Sequence, residues 1–484
     1  MQTAGITTAL CIPFFHQITF PMKKYILTLS FMLSLTTAIW AQEKGITPEM
    51  LQQMRLSQSE NSAERAIEGA VHVNGIKQLA TVPTNAIPGG TYFSNEIKSK
   101  GITDQKRSGR CWLFTGLNVL RAKMIQKYNL GSFTLSQNYV SFYDQLEKCN
   151  LFLQAVIDRA KLPMDDRSVE WLFKNPLSDG GQFTGVSDLI MKYGVVPSEC
   201  MPETFCSENT STYAMLVKEK LREFGLRLRE EAANGTKTAA LIQEKQKMMG
   251  ELYAILVRCL GQPPVKFTWT RTDASGKPLD TREYTPQSFY QEYIGNDLKG
   301  NYLMFMNDPS KPFYKTYEID LDRHVYDGNN WVFLNLPMEE LKEMAISSIK
   351  DSTMVYLSCD VGKYSNSSTG YNDPGNYNYA DVIGTTLPMD KAQRIKTFAS
   401  ASTHAMSLMA VDLLDGKPRK WMVENSWGAT SGYKGHIIMS DKWFEEYVFR
   451  LVVEKKYVPE KLQKLSEQKP TMLPAWDPLY QEDL

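Results

Sequence analysis

The chain has 484 residues, 43% hydrophobic and 22% charged, a composition that suits a soluble globular protein with more than one structural unit. Its 54 Lys and Arg balance 54 Asp and Glu, so no bulk charge draws it to nucleic acid or to an anionic membrane. Seven cysteines in so long a chain do not make a disulfide scaffold.

From Met22 the chain reads Met-Lys-Lys, then an apolar run from Tyr25 to Leu35, then small residues up to Ala41. That is the order of a secretory signal peptide, so residues 1–41 are expected to be removed and the protein exported to the periplasm or secreted. Cleavage is expected after Ala41, with Ala38 the alternative, and Met22 is expected to be the true initiator. The apolar run is too short for a membrane span, and no cysteine follows to carry a lipid, so no stable membrane anchor is expected. Residues 42–88 are polar and alanine-containing, an arm or surface helix that ends at Gly89-Gly90.

Next comes Asp104-Gln-Lys-Arg-Ser-Gly-Arg-Cys111-Trp-Leu-Phe114. It sets one cysteine at the first turn of a helix, where the partial positive charge favours thiolate over thiol. Gln105, six residues earlier, can offer an amide N–H to an oxyanion formed when that sulfur attacks a carbonyl. By itself the segment fits a buried structural cysteine as well as a reactive one. Leu113, Leu117, Leu120, Met124 and Tyr128 then mark one apolar helix face, read as core packing, with Asn129 and Gly131 ending the helix.

Residues 211–260 read as two amphipathic helices. Val217, Leu221, Phe224 and Leu228 mark the first, Met248, Leu252, Ile255 and Cys259 the second, and Asn234-Gly235 separates them. After Pro263-Pro264, Val265, Phe267 and Trp269 alternate as a strand. Residues 211–330 are expected to be an insertion without chemistry of its own. Beyond Trp331 a helix near 338–350 leads to an apolar strand ending at Cys359, with further strands at 407–413 and 420–424. A helix-rich first half and strand-rich second half predict an α+β enzyme with two lobes and a cleft.

Of the five histidines, His16 falls in the signal, His72 and His324 lie in polar, loop-like surroundings, and His436 fits strand alternation. His404 stands at a loop-to-strand junction, where site residues often sit. Asn425, in Asn-Ser-Trp-Gly after another apolar strand, fits an ordinary turn residue; it also fits a carbonyl that orients His404 toward Cys111, with Trp427 shielding the bond. Only Cys200 and Cys206 are close enough in sequence to suggest a pair, and no Cys/His spacing supports zinc.

Taken together, these segments make the chain resemble papain-like cysteine peptidases of the bleomycin hydrolase and aminopeptidase C family. Gln105, Ser108-Gly-Arg-Cys-Trp112, Thr403-His-Ala-Met406 and Glu424-Asn-Ser-Trp-Gly428 carry the likeness. So do Asp179-Gly-Gly-Gln182, Tyr193-Gly-Val-Val-Pro197, Asn307-Asp-Pro309, Cys359-Asp-Val-Gly-Lys363 and Leu473-Pro-Ala-Trp-Asp-Pro478. The resemblance implies an α+β papain-like fold: a left lobe over 89–210, a helical insertion over 211–330, a right lobe over 331–458 and a C-terminal arm over 459–484. It implies Cys111 as nucleophile, His404 as base and acid, Asn425 as its orienter and Gln105 as oxyanion donor. Gly180, Gly181, Trp427 and Leu484 are implied in substrate binding, with neither metal nor cofactor. A hexamer acting on peptides is the family's pattern, its terminal carboxylate holding the substrate's amino group so that N-terminal residues are released. Tyr480 to Leu484 are bulkier and more acidic than the small residues usual there, and a signal peptide is unusual in this family. An ungated endopeptidase, or an acyl transferase using the same thio-acyl intermediate, are the alternatives.

Overall fold

The computed structural model describes residues 45–58, 61–98, 100–295 and 297–479, in two units divided between Leu79 and Ala80. The signal read at 1–41 and residues Tyr480 to Leu484 lie outside the described residues. Among the described residues before the division stand three helices, Pro48–Leu56, Ser62–Val73 and Ile76–Leu79, none with a buried residue. Thr47 and Asn61 start the first two by accepting from the backbone N–H of Met50 and Glu64.

Past Ala80, long helices come first and most strands later. The Cys111–Tyr128 helix is buried over most of its length because it packs on the His404–Leu414 strand and on the Phe183–Tyr193 and Gln137–Asp158 helices. Asn129, with φ 47°, takes the left-handed turn that ends it, as the sequence suggests. The Gln137–Asp158 helix starts at Ser136, whose hydroxyl accepts from Tyr139 N–H at 3.0 Å. It lies against the hairpin of Ser211–Ala233 and Thr238–Leu260.

In that hairpin Val217, Leu221, Phe224 and Leu228 are fully buried, as their spacing requires. On the second helix the buried row is Met248, Leu252, Leu256 and Leu260, while Ile255 and Cys259 are half-buried. The row advances by fours, so the residue one position earlier turns to the rim. Phe267 and Trp269 face inward on a two-stranded ribbon, Phe267–Thr272 with Pro278–Tyr284; Val265, 81% exposed, precedes it and is not in the strand.

The remaining strands form one twelve-stranded sheet among the described residues. At its centre is Val355–Cys359, all five residues buried, between the antiparallel His404–Leu414 and Val448–Glu454. Burial on both faces is why this strand is an apolar run without alternation. On one side follow Lys417–Glu424 and His436–Ser440. On the other come Tyr302–Met306, Val332–Asn335 and Lys315–Ile319, with Thr471–Leu473 added in parallel at the edge. This register sets His404 opposite Cys359.

The six described cysteines are all free. Cys206 does not bridge to Cys200; its thiol neighbours Cys259, which burial and then Cys206 push above the ordinary range. Closeness in sequence misleads here, because the short helix of Cys206 packs on the end of the second hairpin helix.

Candidate active site

The loop leading to Cys111 is tied in from both ends. Gln105 N–H donates to Ser426 O at 2.8 Å, and Ser426 Oγ donates to Gln105 Oε1 at 2.6 Å. Gln105 Nε2 donates to Ser108 O at 2.7 Å, so its amide plane is fixed from two sides. Gly428 N–H donates to Thr103 O at 3.1 Å; its φ of +81° and a would-be Cβ 2.9 Å from Asp104 Oδ2 make this a glycine position. Asp179 accepts from Gly109 N–H at 2.7 Å, and its carbonyl accepts from Trp112 Nε1 at 2.8 Å. Cys111 therefore opens its helix from a fixed loop, and no side chain caps that first turn.

Opposite it, His404 Nε2 and Asn425 Oδ1 lie 2.8 Å apart, both residues buried. The Trp427 ring packs 4.7 Å from the imidazole at 31°, with 41% of Trp427 exposed. Burial pushes the His404 imidazolium down to about 4, and the hydrogen bond to Asn425 opposes that. Glu424, the residue before Asn425, is joined at 2.8 Å to Arg121 on the Cys111 helix, both buried. This ion pair fixes the asparagine's strand to the cysteine's helix, and sequence reading did not single it out. The Cys359 thiol, on the strand residue paired with His404, is pushed well up by burial, then by Asp360 and by Cys111.

Cys111, His404, Gly180 and Gly181 line a cavity of about 330 Å³; Gln105, Asn425 and Trp427 are not part of its wall. Phe152, Leu172 and Leu177 give it an apolar side, and Asp158, Arg159, Asp320 and Arg323 add charges of both signs.

His324, dismissed on sequence as a polar loop residue, is 2% exposed and stands behind Gly181. Its Nδ1 lies 2.5 Å from Asp144 Oδ1 and its Nε2 accepts from Gln182 N–H at 3.3 Å, an arrangement that selects the neutral Nδ1–H tautomer. Burial, then Lys148, lower the imidazole's affinity for a second proton, against Asp144. Burial alone would raise the Asp144 carboxyl, but Lys148 and His324 hold it below the ordinary range. Lys148 also donates to Ser178 O at 2.9 Å and Gly180 O at 2.6 Å, so the whole glycine segment is clamped from beneath. Leu484, the remaining residue expected at the site, lies outside the described residues. Among the described residues no cluster of His, Cys, Asp and Glu could hold a metal ion, and no helix is long and apolar enough to cross a membrane.

Comparison with known proteins gives the family and the fold. The profile of the Peptidase C1-like family matches residues 45–480. The chain is 39% identical to mouse bleomycin hydrolase over 391 residues, covering 79% of this chain and 86% of the relative. It is 36% identical to aminopeptidase C of Listeria monocytogenes over 436 residues, covering 90% and 98%. The crystal structure of PepW from Lactobacillus rhamnosis superposes with a TM-score of 0.87 at 38% identity, covering 90% of this chain and 99% of that one.

Proposed function

We propose that this chain, which belongs to the Peptidase C1-like family and is a cysteine peptidase of α+β papain-like fold, releases N-terminal residues from peptides through Cys111, His404 and Asn425. The observation that carries the reading is the 2.8 Å His404–Asn425 bond beside a cavity that Cys111 and His404 both line. With Nε2 committed to Asn425, Nδ1 is left to exchange a proton with the sulfur. The thiolate attacks the peptide carbonyl, and Gln105 and the Cys111 N–H stabilise the oxyanion. His404 then gives its proton to the leaving amine, and water, deprotonated by His404, releases the acyl group. The substrate backbone lies along Gly180–Gly181, with Trp427 covering the histidine from solvent.

Restriction to one end of the substrate comes from the arm. Thr471–Leu473 joins the sheet edge, and Leu479 O accepts from Arg450, a residue of the cavity wall. The residues that follow include Glu482 and Asp483, whose negative charge suits the ammonium group of a peptide substrate. The names of the two relatives, an aminopeptidase and a hydrolase, support the same activity. The Met22–Ala41 segment supports export, and the relatives' family pattern supports a hexamer.

An aminoacyl fluorogenic substrate assayed beside its N-blocked analogue tests this: the free amine should be cleaved faster, and deleting Tyr480–Leu484 should narrow the gap. Faster cleavage of the blocked compound would replace the reading with an endopeptidase. Added free amines, if they capture the acyl group, would point to transfer. N-terminal sequencing of the protein from the cell exterior tests export, and light scattering tests the hexamer.

A further inference from the structure

We infer that Gln182 and Arg450 form a positioning pair that ties the substrate-facing Gly180–Gly181 segment to the chain leaving the core at Leu479. The inference rests on the aminopeptidase reading above and names the residues that would set its register. Arg450 lies on the Val448–Glu454 strand and is 6% exposed. Its Nη1 donates to Gln182 Oε1 at 2.5 Å and its Nη2 to Leu479 O at 2.6 Å, while the guanidinium sits 4.1 Å over the Trp331 ring. A planar fork makes two bonds at a fixed separation, which a lysine cannot do.

Each end of that fork is itself held. Gln182 follows Gly181 directly, and its N–H is bound to the His324 that Asp144 orients. Leu479 is 1% exposed, and its N–H donates to Asp477, which is paired with Lys311. One buried polar path thus runs from Asp144 through His324, Gln182 and Arg450 to the Leu479 carbonyl. Its ends are 335 positions apart in the chain, and it fixes Leu479 relative to the edge on which the substrate lies. Apolar burial of Leu479 could hold the arm down without Arg450, but it sets no register, because apolar contact is not directional.

The test uses the full mature chain with Gln182→Leu and Arg450→Lys, each read three ways. Hydrogen exchange of the peptide covering 474–484 should rise in both variants. The ratio of kcat/KM for the free over the N-blocked substrate should drop roughly 10-fold or more, as a displaced positioning group costs. Alkylation of Cys111 by iodoacetamide should stay within about twofold of wild type, the control that the fold and nucleophile are intact. Unchanged exchange in both variants overturns the inference, whatever the substrate preference. Where the wild type does prefer the free amine, raised exchange with an unchanged ratio also overturns it, since the arm would then be freed without losing register. Raised exchange in a protein whose wild type shows no preference for the free amine upholds the pair as the arm's anchor and sinks the aminopeptidase reading instead.

Discussion

Gly181→Ala is the sharpest test of how the cleft is built. A Cβ at this position would stand 2.2 Å from His324 Cε1, 2.7 Å from His324 Nε2 and 2.8 Å from Trp112 Cε2. Ordinary carbon contacts are about 3.5–4.0 Å, so something must move by roughly 1 Å. The histidine cannot withdraw. It is held by Asp144 at 2.5 Å, by Gln182 N–H at 3.3 Å and by the Trp112 ring at 4.6 Å. Behind it the Gly185 backbone is already so close that a Cβ there would meet the ring at 2.5 Å. The glycine segment itself must therefore shift toward the cavity, against the Lys148 bonds to Ser178 and Gly180. Overpacking of this kind costs about 1–3 kcal/mol of stability, and a 1 Å misplacement costs about 100-fold in rate. We expect kcat/KM on an aminoacyl substrate to fall about 100-fold, with a lower urea midpoint and near-normal Cys111 alkylation. Wild-type kcat/KM in a folded Gly181→Ala protein would refute the claim that substrate lies on this edge. An equal loss in alkylation would move the damage to the nucleophile.

Three further outcomes follow from the same geometry. Gln105→Ala should reduce kcat by about 10²–10³-fold with little change in KM, the cost of one oxyanion donor, and a change confined to KM would remove it from that role. Asn425→Ala should reduce activity less than Cys111→Ala and move the acid limb of kcat/KM to lower pH. The sign follows from His404: burial holds it at about 4, the Asn425 bond raises it, and only the neutral ring can take the thiol proton, so losing the bond lowers the pH at which that capacity disappears. An unmoved or raised acid limb in a pH-rate profile would contradict this. Lys391→Met should lower the unfolding free energy by about 2 kcal/mol or more, because it orphans three acceptors, two of them in buried bonds. These are Asn307 Oδ1 at 2.7 Å, Glu445 O at 2.9 Å and Val448 O at 2.6 Å; a urea midpoint equal to wild type would show that water replaces the ammonium.

What could be read from the sequence was what is local. The helix starting at Cys111, its end at Asn129 and four of the buried residues of the Ser211–Ala233 helix all follow from spacing over a few turns. Cys111, His404 and Asn425 could be singled out because each sits at an element boundary, and the family likeness joined them. Groups whose partners are remote could not be found this way. His324 has its carboxylate 180 positions away, and Arg450 reaches Gln182 across 268. The cysteine pairing failed for the same reason: Cys200 is near Cys206 in the chain, but helix packing brings up Cys259.

That division has a physical reason beyond the limits of pattern reading. A nucleophile and its base must be chemically distinctive, so their residue types announce them. The groups that hold a substrate edge in place need only be buried, hydrogen-bonded and matched to one another. A histidine kept neutral between Asp144 and a backbone N–H does no proton transfer, and nothing in its local sequence sets it apart from a loop histidine. Such residues carry no signature in the neighbouring sequence because their constraint is reciprocal: Asp144 orients His324 only when Gly181 and Gly185 leave it room. Exchanging any one member should therefore cost nearly as much as exchanging two. In a double-mutant cycle, Asp144→Asn with His324→Gln should lose little more kcat/KM than either alone. Additive losses would mean that Asp144 and Lys148 support the glycine segment independently of the ring.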